Sequence, residues 1–197
     1  MPKRRTAPPR QTTAKGAKIV SAYLENADVF RTAKAAGTTP RGPAVLVLRN
    51  RPDFVKKDFD RKAKDLVRLG QEGKLVKTKP VRRQLPHKDP NKPGTRKTTT
   101  IFRDRLLRQL GRGQNYRSNK GLVDALFRGK DQKRHPVTGP GVTRDPDHIH
   151  ELQLGGTDTY DNLRLMDAWT NREIGREIGL ALDDVPYGTP VIVKVIP

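Results

Sequence analysis

A chain of 197 residues with 33% hydrophobic and 5% aromatic residues suits one domain or two small ones around a modest core. It has no cysteine and no apolar run near the ~18 residues of a membrane span, which excludes disulfides, Cys-ligated zinc and a membrane-crossing helix. The net charge of +20 is unevenly spread: residues 145–197 hold ten acids and four bases, leaving +26 on residues 1–144, so the long first part suits a polyanion and the acidic tail a cation.

In chain order, residues 1–16 with their Lys, Arg and Pro read as a flexible basic arm. Met1-Pro2-Lys3-Arg4-Arg5 has no apolar segment behind it, so a cleaved secretory signal is not expected. From Ala17 to Ala36, Ile19, Val20, Tyr23, Leu24, Ala27, Phe30 and Ala33 recur at helical spacing, broken near Asn26, and Gly37 ends the helix or helix pair. Asp28 to Leu48 resembles, faintly, a helix-turn-helix. Pro40 and Pro43 fall where its recognition helix would begin, so a helix followed by a strand is the better expectation.

Ala44 to Leu48 is a short continuous apolar run, expected as a buried strand. Residues 53–69 form a basic amphipathic helix, with Phe54, Val55, Phe59, Ala63, Leu66 and Val67 inward and Lys56, Lys57, Arg61, Lys62, Lys64 and Arg68 outward. Residues 17–76 are thus expected as a small mixed helical module. Residues 77–97, with Pro80, Pro86, Pro90 and Pro93, are expected as a basic linker before a second domain, 98–197.

That second domain opens with two helices, the first capped near Thr98 to Thr100 and closed by Gly111, the second opening at Asn119 and carrying Leu122, Val123, Leu126 and Phe127 inward. Arg105, Arg108, Arg112, Arg117, Lys120, Arg128, Lys133 and Arg134 lie along or between them. With Tyr116 the one aromatic expected to be free for stacking, this is a phosphate-tracking surface rather than a base-reading one. Pro190 to Ile196 is a strongly β-prone terminal strand, expected to pair within its domain.

The chemistry concentrates in Asp147 to Asn171. Asp145-Pro146 biases the backbone to extension, so Asp147-His148-Ile149 begins a strand; Gly155-Gly156 permits a tight loop; Asn162 to Met166 alternates as a second strand; Asp167 caps a helix. A hairpin laid on a helix brings Asp147 near Asn171, two oxygen donors for a hard divalent cation, magnesium or manganese first, zinc or nickel also acceptable. His148 would take a proton from water, and Asn162, on the opposite strand, would hold its other ring nitrogen. His150, on the same strand face as His148, is an alternative ligand or base, Glu151 a salt-bridging residue, and Arg172 a group to stabilise the transition state, each with a plain structural role as the simpler reading.

Asp147-His148-Ile149, Gly-Gly seven residues after the histidine, Asn162-Leu163 fourteen after it and Asn171 nine further on resemble the HNH motif of the ββα-metal nucleases. The stretches DHIHELQLGG, DNLRLMD and TN resemble more closely the HNH-type toxin domains of bacterial polymorphic and secreted effectors. Over roughly residues 135–197, the resemblance implies an α+β chain, a mostly helical basic part followed by a ββα-metal domain with a C-terminal strand. It further implies His148 as general base, Asn162 as its orienting residue, and one divalent metal on Asp147 and Asn171. Asn171 stands where many members have histidine, and the cysteine pairs of some members are missing. The implied activity is hydrolysis of phosphodiesters, double-stranded DNA favoured, by an antibacterial effector made in the bacterial cytoplasm, delivered by a specialised secretion or injection system and restrained by a cognate immunity protein, acidic if it covers the basic face. A phage or mobile-element HNH endonuclease with site-specific DNA binding, and a non-catalytic basic nucleic-acid-binding protein, stay open beside it.

Overall fold

The structure, a computed structural model, describes residues 19–79, 97–130 and 133–197; the expected basic arm and residues 80–96 of the expected linker lie outside the described residues. The fold is α+β. Its elements run β1 (Ala22–Leu24), α1 (Ala27–Ala35), β2 (Ala44–Arg49), α2 (Lys56–Gln71), α3 (Thr98–Leu110), α4 (Gly113–Lys130), β3 (Arg144–His148), β4 (Leu163–Asp167), α5 (Ala168–Ala181) and β5 (Val191–Ile196).

The first segment departs from its expected helix. Ala22 and Leu24 are buried and Tyr23 exposed between them, and this two-residue alternation pairs antiparallel with β2, Ala22 opposite Leu48 and Leu24 opposite Leu46. The helix begins only after Asn26, whose side chain donates to Pro43 O and accepts from Val45 N, both at 3.0 Å, stitching the turn to β2. Gly37 closes the helix at φ +64, a left-handed conformation that favours glycine. A strand, not a recognition helix, follows.

β2 also pairs parallel with β5, from Ala44 opposite Val191 to Arg49 opposite Ile196, so the sheet order is β1-β2-β5. Parallel pairing demands a crossover, and here everything from α2 to α5 lies within it. Leu46, Leu48, Phe59 and Leu66 accordingly share one apolar cluster with Leu154, Met166, Ile174, Ile178 and Val191. The expected division between 17–76 and 98–197 therefore does not separate two cores; so short a basic module buries too little surface alone, and the motif region completes it.

β3 and β4 form an antiparallel hairpin, Arg144 opposite Asp167 and His148 opposite Leu163, and the chain passes directly into α5. Asp167 caps that helix, its Oδ2 accepting from Thr170 N at 2.9 Å and Thr170 Oγ1 at 2.8 Å. Asp147 and His148 end β3 rather than begin it, and Asn162 lies in the turn before β4.

Helix α2 is what the hairpin is fastened to. Its apolar stripe carries Phe59, Ala63, Leu66 and Leu69. Beside it, at i, i+4 and i+7, Asp58 takes Arg144 and the Asp167 N–H, Lys62 takes Asp147, and Asp65 takes Arg164. On another side α3 and α4 form a wall. Arg103 donates to Asp145 Oδ1 at 2.9 Å, Phe102 meets Tyr160 with ring centroids 4.9 Å apart, and a Cβ on Gly129 would stand 2.7 Å from Arg144 O, so only glycine lets α4 come this close to β3. Both expected helices are present, as α3 and α4, but the second begins at Gly113 rather than Asn119, where it is bent, and Phe127, expected inward, is exposed.

Candidate active site

His148 stands at the end of β3, about one-tenth exposed, where the hairpin opens into the loop 149–162. Its Nε2 is 2.9 Å from Oδ1 of Asp158, whose side chain is 5% exposed. A carboxylate accepts, so Nε2 carries the proton and Nδ1 is the nitrogen left for a substrate or water. Asp158 was not singled out in the sequence. Its signal was there, an acid ten residues after the histidine and just beyond a Gly-Gly turn able to fold it back.

Asn162 plays a different part from the one expected. Its Oδ1 accepts from His150 N at 2.8 Å, and its Nδ2 donates to His150 O at 2.9 Å and Thr157 O at 2.8 Å. It grips the loop backbone rather than the His148 ring. The loop needs that grip and two glycines: Gly155 has φ +95, and a Cβ on Gly156 would lie 1.9 Å from His150 O. His150 turns its Nε2 to Leu154 O at 2.8 Å, which makes that nitrogen a donor and the ring a clasp inside the loop.

Asp147 is 2% exposed and meets a residue outside the motif. Lys62 Nζ lies 2.6 Å from Asp147 Oδ1, 2.6 Å from Glu151 Oε1 and 2.6 Å from His148 O, so each of its three N–H groups has an oxygen. Burial alone would drive this ammonium below its ordinary pKa; the charges of Asp147 and Glu151 outweigh burial and hold it above. Lys62, expected outward as a lysine, points inward. Its position, three residues after Phe59 and four before Leu66, is on the inner stripe. Asp147 Oδ2 has no hydrogen-bond partner among the described residues, although Arg164 Nε forms an ion pair with it at 3.4 Å.

Asp147, His148, Glu151, Asn171 and Arg172 line one cavity of about 450 Å³, with Thr99 of α3 and Gln153 on its rim. His150 and Asn162 do not line it. Arg172 is held by Asp145 Oδ2, its Nε at 2.9 Å and Nη2 at 2.6 Å, while Asp145 Oδ1 takes Arg103. Burial lowers the Arg103 pKa, opposed by Asp145 and reinforced by the charge of Arg172. Two guanidinium groups thus share one carboxylate beside the cavity, a surplus of positive charge that suits an anion.

Of the basic surface, Arg108, Arg112, Arg117, Lys120, Lys133 and Arg134 are exposed. Arg105 lies over the Tyr160 ring at 4.8 Å, Arg128 donates to Val142 O at 3.0 Å, and Lys120 pairs with Asp124. No helix among the described residues is long and apolar enough to cross a membrane.

The oxygen donors fit a hard cation in part. Asp147 Oδ2 is a buried carboxylate oxygen lacking a hydrogen bond among the described residues, and Asn171 shares its cavity. Among the described residues no group of three His, Cys, Asp or Glu side chains could hold a metal by itself; the donor set suits an ion that keeps waters and takes phosphate oxygens, as magnesium does.

No protein-family model, no curated protein and no solved structure matches this chain.

Proposed function

We propose that the chain is an HNH-type endonuclease that hydrolyses phosphodiester bonds, of DNA in the first instance. The observation that carries this reading is the His148–Asp158 pair at 2.9 Å, whose histidine lines a cavity with Asp147, Asn171 and Arg172, at the head of a hairpin that runs into a helix. His148 takes the proton of an attacking water on Nδ1, while Asp158 fixes the tautomer and stabilises the imidazolium that forms. Arg172, aimed by Asp145, meets the negative charge that grows on the phosphate. A divalent ion on Asp147 and Asn171 would supply charge stabilisation to the phosphate oxygens and leaving group. The exposed arginines of α3 and α4 track the backbone of the polymer. The resemblance to effector toxins extends the proposal to an antibacterial nuclease with an acidic inhibitor as its partner.

The test is cleavage of supercoiled plasmid in EDTA and then in magnesium, manganese, nickel and zinc, beside His148→Ala. Metal-restored nicking or linearisation that the variant lacks, with DNA binding retained, is the expected result. A smear would favour a toxin and discrete bands a site-specific enzyme. Inert protein on both DNA and RNA would sink the nuclease reading and leave a basic nucleic-acid-binding protein. Binding should weaken with salt, and each of Arg108, Arg112 and Arg117 changed to Ala should lower the slope of log K against log salt by about 1.

A further inference from the structure

Helix α2 lies outside the motif, yet it sends one charged side chain into the base of the site. Lys62 is 1% exposed and surrounded by Asp147 Oδ1, Glu151 Oε1 and the His148 carbonyl at 2.6 Å each. Two carboxylates face one ammonium, and the second cation beside them is Arg164, whose Nε lies 3.4 Å from Asp147 Oδ2 while its other end is bound to Asp65. Asp147 Oδ2 is buried without a hydrogen bond among the described residues, and Asp147 and Glu151 both border the cavity that Asn171 lines. A divalent ion entering there would meet the repulsion of the ammonium and would have to take the carboxylate oxygens that Lys62 already holds.

We propose that Lys62 is a resident cation of this site, which competes with a divalent ion for Asp147 and Glu151 and sets how tightly that ion is held. The inference rests on reading the cavity as a phosphodiester-hydrolysing site. A divalent ion then binds the free protein weakly and reaches its working occupancy when substrate phosphate oxygens add their own charge. Through the bonds to Asp147 and the His148 carbonyl, Lys62 is also a positioning residue for the end of β3. It ties the first part of the chain to the chemistry of the last.

The test uses the full chain, with manganese alone as the probe, read by electron paramagnetic resonance titration and by thermal melting with manganese or with EDTA. Lys62→Met should bind manganese at least tenfold more tightly than the wild type, roughly the loss of one near like charge, and should melt several degrees higher with manganese than with EDTA. Lys62→Arg, which keeps the charge, should stay as weak as the wild type. Should Lys62→Met lack a cooperative transition in EDTA and gain one in manganese, the ion has replaced the ammonium, and the proposal stands. Equal or weaker manganese binding by Lys62→Met, or a variant unfolded with and without the ion, would overturn it and leave Lys62 as a structural strut. None of these readouts involves cleavage, so a failure of the nuclease reading, seen as wild-type protein inert on DNA and RNA, is told apart from a failure of this one.

Discussion

The His148 imidazole rests on the Asp158 carboxylate, Nε2 to Oδ1 at 2.9 Å, across a loop that doubles back on itself to bring the two together. An imidazole held this way has its tautomer chosen by its neighbour. On the proposed hydrolysis, His148→Ala should slow cleavage by about 10²–10⁴, and Asp158→Asn by about 10–100, each with nucleic-acid binding unchanged. Single-turnover rates beside a binding titration measure both. An Asp158→Asn enzyme with full rate would show the carboxylate to be an onlooker.

The loop carrying that pair tolerates little. Gly156→Ala would press a methyl group onto the His150 carbonyl, 1.9 Å from the ideal Cβ, and should cost about 1–3 kcal/mol as the backbone shifts. Asn162→Asp should be worse than Asn162→Ala, because it turns carboxylate oxygens toward the carbonyls of His150 and Thr157 that now accept from Nδ2. Urea melts of the three variants give the ranking, and equal stability for Asp and Ala at 162 would refute the assigned hydrogen bonds.

Acid should release a specific contact. Partial burial raises the Asp53 pKa, but hydrogen bonds from Arg51 and from Trp169 Nε1, the latter 3.1 Å from Oδ2, outweigh it and hold the carboxyl below the usual 3.8. A depressed carboxyl contributes stability that is present above the unfolded-state value and lost as pH falls through the folded one. Fluorescence of Trp169, the chain's one tryptophan, should hold steady from pH 7 to about 4 and change below that. A transition centred above pH 4 that persists in Asp53→Asn would assign it to another group.

The shared core makes a strong claim about truncation. Residues 98–197 expressed alone would lose β2, against which β5 pairs from Val191 to Ile196, together with Phe59 and Leu66, which share a core with Ile174 and Ile178. Such a fragment should show no cooperative melting. Circular dichroism decides it, and a sharp transition would restore the motif region as an independent domain.

Much of the local structure was legible because it depends on near neighbours. The apolar run at Ala44 to Leu48, the spacing from Phe59 to Leu66, the cap at Asp167 and the turn at Gly155-Gly156 each express preferences that act within a few residues. Tyr23 and Leu24 misled, since a segment of three residues takes its conformation from the strand it meets. Within the site, the gathering of Asp147, His148, Asn171 and Arg172 around one cavity follows the order of strand, loop, strand and helix. The task of Asn162 did not follow, because spacing gives a side chain's neighbourhood and not its hydrogen-bond partner.

The sequence by itself determined the charge division, the α+β character and the stretch from which most of the cavity-lining side chains come. Only the tertiary structure decided that Lys62 turns inward to Asp147 and Glu151, that Asp158 comes back to His148, and that β5 completes a sheet begun by β1 and β2. Those three facts join residues far apart in the chain. Burying an ammonium is favourable only where carboxylates and a carbonyl already converge on it, and that convergence exists only once helix, hairpin and sheet have packed.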